Sequence, residues 1–259
     1  MPDVEKPVHP AAAQGYTLSA DTYVRGRPDY PAEIISWLTD TLGISEAARV
    51  VDLGAGTGKF TRYLLQTGAR VIAVEPVASM RAELAVYAPG ATMMEGTAKS
   101  MALEDESVDA VVCAQAFHWF AVPEALDEIH RVLRPGGRLG LVWNRRDTGY
   151  EWVRQLDDIV NVYEGNTPRF HTGQWRNVFP HPGFGPLQET RFSHGHTGTI
   201  DDVIINRSLS TSFIAALPAT QQAQVKARIL ALIDRTPTLK NHGQVTFPYE
   251  TLAYCIERQ

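Results

Sequence analysis

Short apolar runs alternate with amphipathic segments between residues 49 and 143, and no other feature constrains the fold of this chain as strongly. Five runs have the length and composition of buried strands, at residues 49–53, 70–74, 91–95, 109–114 and 138–143. Segments with apolar residues at helical spacing lie between them, at residues 59–66, 77–87 and 123–133. Strands that alternate with helices form right-handed βαβ units around a parallel sheet that is covered on both faces. The pattern therefore predicts a doubly wound α/β fold.

The flanking segments complete this prediction. A helix is expected from Pro31 to Gly43, and Pro135-Gly136-Gly137 is expected to separate a helix from the fifth strand. Beyond residue 150 we predict helices and strands around a loop at 165–186: helices at 152–163, 200–208 and 219–235, and strands at 187–196 and 245–256. The result is a Rossmann-like, seven-stranded, mostly parallel sheet with an antiparallel last strand and a helical lid. We expect a flexible tail at residues 1–15 and one domain at residues 16–259. Within this domain the core is expected at 45–149, and the lid elements at 16–44, 150–186 and 200–235.

Composition limits the classes of function. The chain has 259 residues, 44% of them hydrophobic, and a net charge of −5, which argues against nucleic acid as the main partner. Cys113 and Cys255 lie in apolar runs and are expected to be buried free thiols. No apolar stretch is long enough to predict a membrane span, and residues 1–7 lack the pattern of a signal peptide. We therefore expect a cytoplasmic protein.

A glycine-rich loop follows the first predicted strand, in the sequence Val51-Asp52-Leu53-Gly54-Ala55-Gly56-Thr57-Gly58. Ligands of open α/β sheets bind at this end of the strands. The glycine spacing differs from the dinucleotide pattern G-x-G-x-x-G, because Lys59 occupies the last glycine position. Glu75 ends the second strand, 23 residues beyond Asp52, where an acid can accept hydrogen bonds from both ribose hydroxyls of an adenosine ligand. The loop and the acid together favour an adenosine cofactor other than NAD.

Further motifs follow in order: Val74-Glu75-Pro76, Gly96-Thr97-Ala98, Ser107-Val108-Asp109, Ala114-Gln115-Ala116-Phe117-His118-Trp119-Phe120 and Arg131-Val132-Leu133-Arg134-Pro135-Gly136-Gly137. With the glycine loop, they resemble the class I S-adenosylmethionine-dependent methyltransferases over residues 50–144. The segment from Tyr23 to Pro31, together with Trp143-Asn144, is similar to a small-molecule branch whose relatives include trans-aconitate-type methyltransferases.

The resemblance implies a set of residues for S-adenosylmethionine and its product S-adenosylhomocysteine. The methionine part would lie against Asp52, Gly54, Ala55 and Gly56, and the ribose would be held by Glu75. The resemblance also implies residues around the adenine, namely Pro76, Thr97 and Ala98. It implies Gln115 beside the reacting methyl group, and Tyr23 and Arg27 in an N-terminal segment that closes over the cofactor.

The acceptor side is less determined by the sequence. His118 follows the fourth strand and is a candidate general base, or else a residue that orients the acceptor or packs. Trp119 and Trp143 are candidates for an aromatic wall or for core packing, and Arg145 for binding a substrate carboxylate or for a solvated loop. His194 and His196 lack further residues at metal-ligand spacing, so no metal site is predicted.

The sequence thus predicts an enzyme that transfers a methyl group from S-adenosylmethionine to a small molecule by an SN2 reaction, with oxygen as the expected acceptor. N- or C-methylation of a small molecule and methylation of RNA or protein remain alternatives. A cofactor-binding protein without activity and an NAD-dependent oxidoreductase are disfavoured by the intact glycine loop and by its spacing.

Overall fold

The computed structural model describes residues 28–240 and 243–259. Seven strands form one sheet in the order β3-β2-β1-β4-β5-β7-β6. Their bounds are β1 Arg49–Leu53, β2 Arg70–Val74, β3 Thr92–Met94, β4 Val108–Ala114, β5 Leu133–Arg146, β6 Gln188–Gly198 and β7 Val245–Glu257. All seven lie where the sequence predicts strands. β1, β2 and β4 are apolar runs buried on both faces of the sheet, whereas β6 alternates between exposed and partly buried residues.

The pairing of the strands confirms the doubly wound fold. β1 pairs in parallel with both β2 and β4, β2 with β3, and β4 with β5. The end of β7 runs antiparallel to the start of β5, since the Gly136 N–H donates to Arg258 O at 3.3 Å and the Arg258 N–H donates to Gly137 O at 2.8 Å. The sheet is therefore mixed, as the sequence predicts for its last strand.

The helices connect the strands at the predicted places. The helix expected from Pro31 is a short α-helix that continues as a π-helical segment, Trp37–Thr41. The α-helices of the described chain are α1 Glu33–Ser36, α2 Thr61–Gln66, α3 Ala78–Tyr87, α4 Pro123–Val132, α5 Glu151–Asn161, α6 Arg207–Leu209, α7 Ser212–Ala215 and α8 Ala219–Arg235. A second π-helical segment, Asp201–Asn206, precedes α6. The segment predicted as a loop over 165–186 contains two 3₁₀ helices, Phe170–Thr172 and Gln174–Val178.

The prediction of a break at Pro135-Gly136-Gly137 is wrong in one respect. β5 already begins at Leu133 and runs through these residues to Arg146. Val108 pairs with Leu133 and Ala110 pairs with Arg138, so the residues between them bulge out of the ladder with β4. The bulged residues stay in the sheet because Gly136 and Gly137 bond to Arg258 on the other side.

The chain divides into two compact units, each with its own apolar core. One unit comprises Pro31–Trp143, Pro168–Phe192 and Thr251–Gln259, and its core is built from β1, β2, β4, β5 and α4. The other comprises Asn144–Thr167, Ser193–Glu250 and the described end of the N-terminal segment, and its core lies among α5, α8 and the start of β7. Cys113 and Cys255 are free and buried, as predicted.

Parallel pairing brings the carboxyl ends of β1, β2, β3 and β4 to one edge of the sheet. Loops at such an edge are the usual ligand-binding elements of open α/β sheets. Across residues 28–240 and 243–259, no helix combines the length and hydrophobicity that crossing a membrane requires.

Candidate active site

The glycine loop turns tightly over the end of β2. The Gly54 and Ala55 N–H groups both donate to Val74 O, at 2.9 and 3.2 Å. Gly54 has a φ of +73°, and a Cβ there would lie 2.8 Å from the Ala116 Cβ, so only glycine fits. Gly56 also has a positive φ of +58°, but a Cβ on it would meet no atom within 4 Å. The loop is thus closed on one side by packing and open at Gly56, where backbone can approach a ligand.

Glu75 is buried beneath this loop and holds it in place. Its Oε2 accepts from the Gly56 N–H at 3.0 Å, and its Oε1 accepts from the Val77 N–H at 2.9 Å. Burial raises the pKa of Glu75, while these two hydrogen bonds and the Arg81 guanidinium oppose the rise. Each carboxylate oxygen retains capacity for a further donor, which is what a pair of ribose hydroxyls would need.

Asp52 is buried near the end of β1, and its two carboxylate oxygens differ in their hydrogen bonding. Oδ2 accepts from the Thr61 hydroxyl at 2.6 Å, whereas Oδ1 is buried with no hydrogen-bond partner. Burial raises the pKa of Asp52 to about 7; the Thr61 hydrogen bond lowers it and the nearby Glu75 carboxylate raises it further. Buried polar atoms are normally paired, so Oδ1 is an unfilled acceptor position beside the glycine loop.

The predicted adenine residues follow β2 and β3. Thr97 exchanges backbone hydrogen bonds with Ser100, at 3.1 and 3.2 Å, and its Oγ1 is buried without a partner. Ala98 is buried in the core, and the Pro76 carbonyl accepts from the Arg81 guanidinium at 2.7 Å. Thr97 therefore adds a second unfilled polar position at the same edge of the sheet.

Gln115 directly follows β4 and has a backbone conformation that is unusual for a residue with a side chain. Its φ is +57°, and its N–H donates to Val142 O at 2.8 Å. Residues with a side chain avoid the left-handed region unless the surroundings fix it, and such residues concentrate at functional sites. The turn directs the chain into the 3₁₀ helix Phe117–Trp119 that carries His118.

These features fit S-adenosylmethionine. The unfilled Asp52 Oδ1 can accept from the amino group of its methionine part, and Glu75 can accept from its ribose hydroxyls. The open face at Gly56 leaves room for the ligand to lie against the backbone. Tyr23 and Arg27, which the resemblance implies for the closing segment, lie outside the described residues.

His118 is partly buried and is fixed by an indole group. The Trp143 Nε1–H donates to His118 Nδ1 at 3.1 Å, so the lone pair on Nδ1 is occupied. Burial lowers the pKa of His118 to about 3, and the nearby Arg169 and His171 contribute to this shift. The neutral ring therefore carries its proton on Nε2, and His118 presents a hydrogen-bond donor at neutral pH.

The two tryptophans occupy different environments. Trp143 is only 1% exposed and packs against Phe170 and Trp175, with ring centroids 4.8 and 4.7 Å apart. Trp119 is partly exposed and lies 5.1 Å from the His118 ring. Trp143 thus acts on the site through its indole N–H, and Trp119 is the tryptophan with surface available to a ligand.

Arg145 lies in the other compact unit, where its guanidinium forms an ion pair with Glu250, including a hydrogen bond from Nε at 2.7 Å. His194 is stacked on Tyr249 with ring centroids 5.8 Å apart. In the part of the chain that the structure describes, no group of three or more His, Cys, Asp or Glu side chains is arranged to hold a metal ion.

Sequence reasoning missed Thr61 and Arg169. Thr61 was detectable, because a hydroxyl in the first turn after a glycine loop is well placed to meet the acid that precedes the loop. Arg169 lies in a segment without periodicity, and nothing in the sequence connects it to His118.

Comparisons with known proteins identify the family of this chain. Residues 51–141 match the family model of a methyltransferase domain. The chain is 38% identical over 240 residues to an uncharacterized methyltransferase-like protein of Schizosaccharomyces pombe, covering 92% of this chain and 93% of the relative. It is 37% identical over 163 residues to a malonyl-acyl-carrier-protein O-methyltransferase of Pectobacterium atrosepticum, covering 58% of this chain and 64% of the relative.

A solved structure from Anaeromyxobacter dehalogenans, assigned as a type II methyltransferase, shares the fold. It matches with a TM-score of 0.64 and 23% identity, over 89% of this chain and 96% of that chain. The glycine loop, the buried acids and the extent of these matches lead to one conclusion. The chain belongs to the class I S-adenosylmethionine-dependent methyltransferases.

Proposed function

We propose that the protein transfers a methyl group from S-adenosylmethionine to the carboxylate oxygen of a small molecule, forming a methyl ester. The observation that carries this proposal is the hydrogen bond from Trp143 Nε1 to His118 Nδ1 at 3.1 Å. This hydrogen bond occupies the Nδ1 lone pair of His118, which the neutral ring would need to act as a general base.

The cofactor supplies an electrophilic methyl group on a sulfonium. Asp52 and Glu75 would hold its methionine and ribose parts, with Gly54, Ala55 and Gly56 as the backbone surface. Pro76, Thr97 and Ala98 would lie around the adenine, and Gln115 would line the cofactor next to the acceptor. These assignments place two acids against the cationic cofactor, where their carboxylates are favoured.

His118 is suited to orient an acceptor and not to deprotonate it. With a pKa of about 3 it remains neutral at physiological pH and is a weak base. Its Nε2–H can donate to an oxygen that already carries negative charge. A carboxylate is ionised at neutral pH and needs no base, so positioning alone can bring it to the methyl group.

The Pectobacterium atrosepticum relative supports oxygen as the acceptor atom, since it is an O-methyltransferase. The net charge of −5 gives no support to nucleic acid as the acceptor, because phosphate binding needs concentrated positive charge. A small-molecule acid is therefore the acceptor that we propose.

The test combines product identification with a pH profile. Purified protein is incubated with S-adenosylmethionine and a panel of small carboxylic acids, their amides, phenols and amines, and mass spectrometry identifies methylated products. We expect methyl esters, with kcat nearly constant between about pH 6 and 8, because His118 does not titrate there. His118→Ala should raise KM more than it lowers kcat, and His196→Ala on β6 serves as the matched control.

Two results would contradict the proposal. Methylated amines or phenols without any ester would refute a carboxylate acceptor. A rate that rises through a pKa near ~6.5, with this rise absent in His118→Ala, would show that His118 is a general base.

A further inference from the structure

We propose that Thr61 is a positioning residue for the cofactor. Its hydroxyl orients the Asp52 carboxylate so that Oδ1 accepts from the ammonium group of S-adenosylmethionine, and it favours the ionised carboxylate that this contact requires. The inference deepens the proposed function and rests on its assignment of Asp52 to the methionine part of the cofactor. Thr61 acts through Asp52 and needs no contact of its own with the cofactor.

The hydrogen bond between Thr61 and Asp52 determines which carboxylate oxygen is left for a ligand. The Thr61 hydroxyl donates to Asp52 Oδ2 at 2.6 Å, and both residues are buried. Oδ1 is also buried and has no hydrogen-bond partner among the described residues. Because the two oxygens of a carboxylate lie in one plane with its carbon, a fixed Oδ2 also fixes the direction of Oδ1. A ligand ammonium group therefore meets an acceptor that is already oriented.

The direction of the Thr61 hydroxyl differs from that of an ordinary helical threonine. Such hydroxyls commonly donate to a carbonyl three or four residues earlier in the chain. Thr67, which directly follows α2, does this, since its hydroxyl donates to Leu64 O at 2.7 Å. Thr61 begins α2, but its hydroxyl reaches Asp52 on β1, nine residues earlier. The hydroxyl therefore connects the helix to the buried acid and not to its own backbone.

The start of α2 is held by the glycine loop and by the core. Gly58 O accepts from the Arg62 N–H at 3.3 Å, which ties the first turn of the helix to the loop. Phe60 and Leu64, on either side of Thr61, are both buried. Thr61 therefore presents its hydroxyl from an ordered backbone.

The electrostatics around Asp52 show what this hydroxyl contributes. Burial raises the pKa of Asp52, the Thr61 hydrogen bond lowers it and the Glu75 carboxylate raises it, so that it lies at about 7. Cys113 on β4 also faces Asp52, but burial and the Asp52 charge raise the pKa of this thiol, which stays protonated near neutral pH. Without the Thr61 hydroxyl, Asp52 would keep its proton to higher pH and would bind an ammonium group less tightly.

Two ligands separate this role from a purely structural one. S-adenosylhomocysteine carries the ammonium group, whereas methylthioadenosine has the adenosine and the sulfur but lacks the amino acid part. Calorimetry measures both Kd values for Thr61→Val, which replaces the hydroxyl by a methyl group. We expect the Kd for S-adenosylhomocysteine to rise about 5- to 50-fold at pH 7, and that for methylthioadenosine to change by less than about twofold.

The pH profile and two further variants complete the test. In Thr61→Val, the pH at which S-adenosylhomocysteine binding reaches half of its change should move upwards by about 1–2 units. Any pH dependence that arises from Glu75 would appear with methylthioadenosine as well, since this ligand retains the ribose. Thr61→Ser keeps the hydroxyl and should restore binding. Thr67→Val removes a buried hydroxyl at the other end of α2, and it should bind both ligands like the wild type.

Equal Kd values for S-adenosylhomocysteine in the wild type and Thr61→Val would overturn the proposal. An equal loss of affinity for both ligands would also overturn it, because it would indicate a general disturbance of the loop. Circular dichroism and melting curves check that the variants are folded, and Thr61→Ala replaces Thr61→Val if the latter is not.

Ester formation judges the proposed function separately. Thr61-dependent binding of S-adenosylhomocysteine without any methyl ester would retain the role of Thr61 and reject carboxylate methylation. Methyl esters with an unchanged Kd in Thr61→Val would do the reverse.

Discussion

The buried carboxyl group of Asp52 predicts an unusual dependence of stability on pH. Its pKa is raised from 3.8 to about 7 in the folded protein, chiefly by burial. The folded state therefore keeps a proton that the unfolded chain releases, and stability is lost as pH rises towards 7. The difference corresponds to about 4 kcal/mol at neutral pH, at about 1.4 kcal/mol for each tenfold change in the ionisation equilibrium.

The substitution Asp52→Asn removes this titration and keeps an oxygen that can accept from the Thr61 hydroxyl. We expect the cofactor-free variant to gain stability relative to the wild type as pH rises, by roughly 2–3 kcal/mol between pH 5 and pH 8. Urea unfolding at constant ionic strength measures the difference, with fluorescence and circular dichroism required to give the same transition. Asp158→Asn, which removes an exposed carboxylate from α5, is the matched control and should follow the wild type.

A stability difference between Asp52→Asn and the wild type that is the same at pH 5 and at pH 8 would refute the reasoning. It would mean that Asp52 is already ionised in the folded protein at low pH, with charge stabilisation that balances its burial. A gain in stability that disappears at high pH would have the wrong sign and would be equally decisive.

Two further predictions concern the cofactor. The Kd for S-adenosylhomocysteine should fall as pH rises through about 7, because the ionised form of Asp52 binds the ammonium group of this ligand more tightly than the protonated form does. Calorimetry that shows a constant Kd would contradict this prediction. Glu75→Ala should lose about 2–3 kcal/mol of cofactor binding. In the same variant, hydrogen exchange at the Gly56 and Val77 amides should accelerate, since both donate to Glu75. Glu75→Gln keeps one side-chain oxygen and should show a smaller effect on both; unchanged exchange in Glu75→Ala would mean that other groups hold the loop.

The strands were predictable because burial on both faces leaves a simple pattern. Arg49–Leu53 and Arg70–Val74 each begin with a basic residue, every later residue is buried, and all of these except Asp52 are apolar; the predicted bounds agree with the structure. The bulge in β5 was not predictable, because it depends on backbone hydrogen bonds of Gly136 and Gly137 with Arg258, more than a hundred residues later in the chain. Local sequence carries no information about such distant pairing.

The same distinction applies to the site. The position of Glu75 beside the glycine loop was predictable, because a parallel sheet fixes where an acid after β2 must lie. The environment of His118 was not, because its burial, the charge of Arg169 and the hydrogen bond from Trp143 all arise from tertiary packing. The sequence left two roles for His118, a general base or a residue that orients the acceptor. The partner of Nδ1 is what favours the second role.

Burial shifts the two sides of the site in opposite directions, and this opposition matches the proposed reaction. It raises the pKa of Asp52 to about 7 and lowers that of His118 to about 3, so without ligands the protein tends to keep both groups uncharged. A cationic cofactor would restore the charge on Asp52, and an anionic acceptor would accept from the neutral His118. Methyl transfer between a sulfonium and a carboxylate turns two opposite charges into neutral products. Exclusion of water therefore favours the transition state over the separated ions, and the burial that perturbs Asp52 and His118 also assists this reaction.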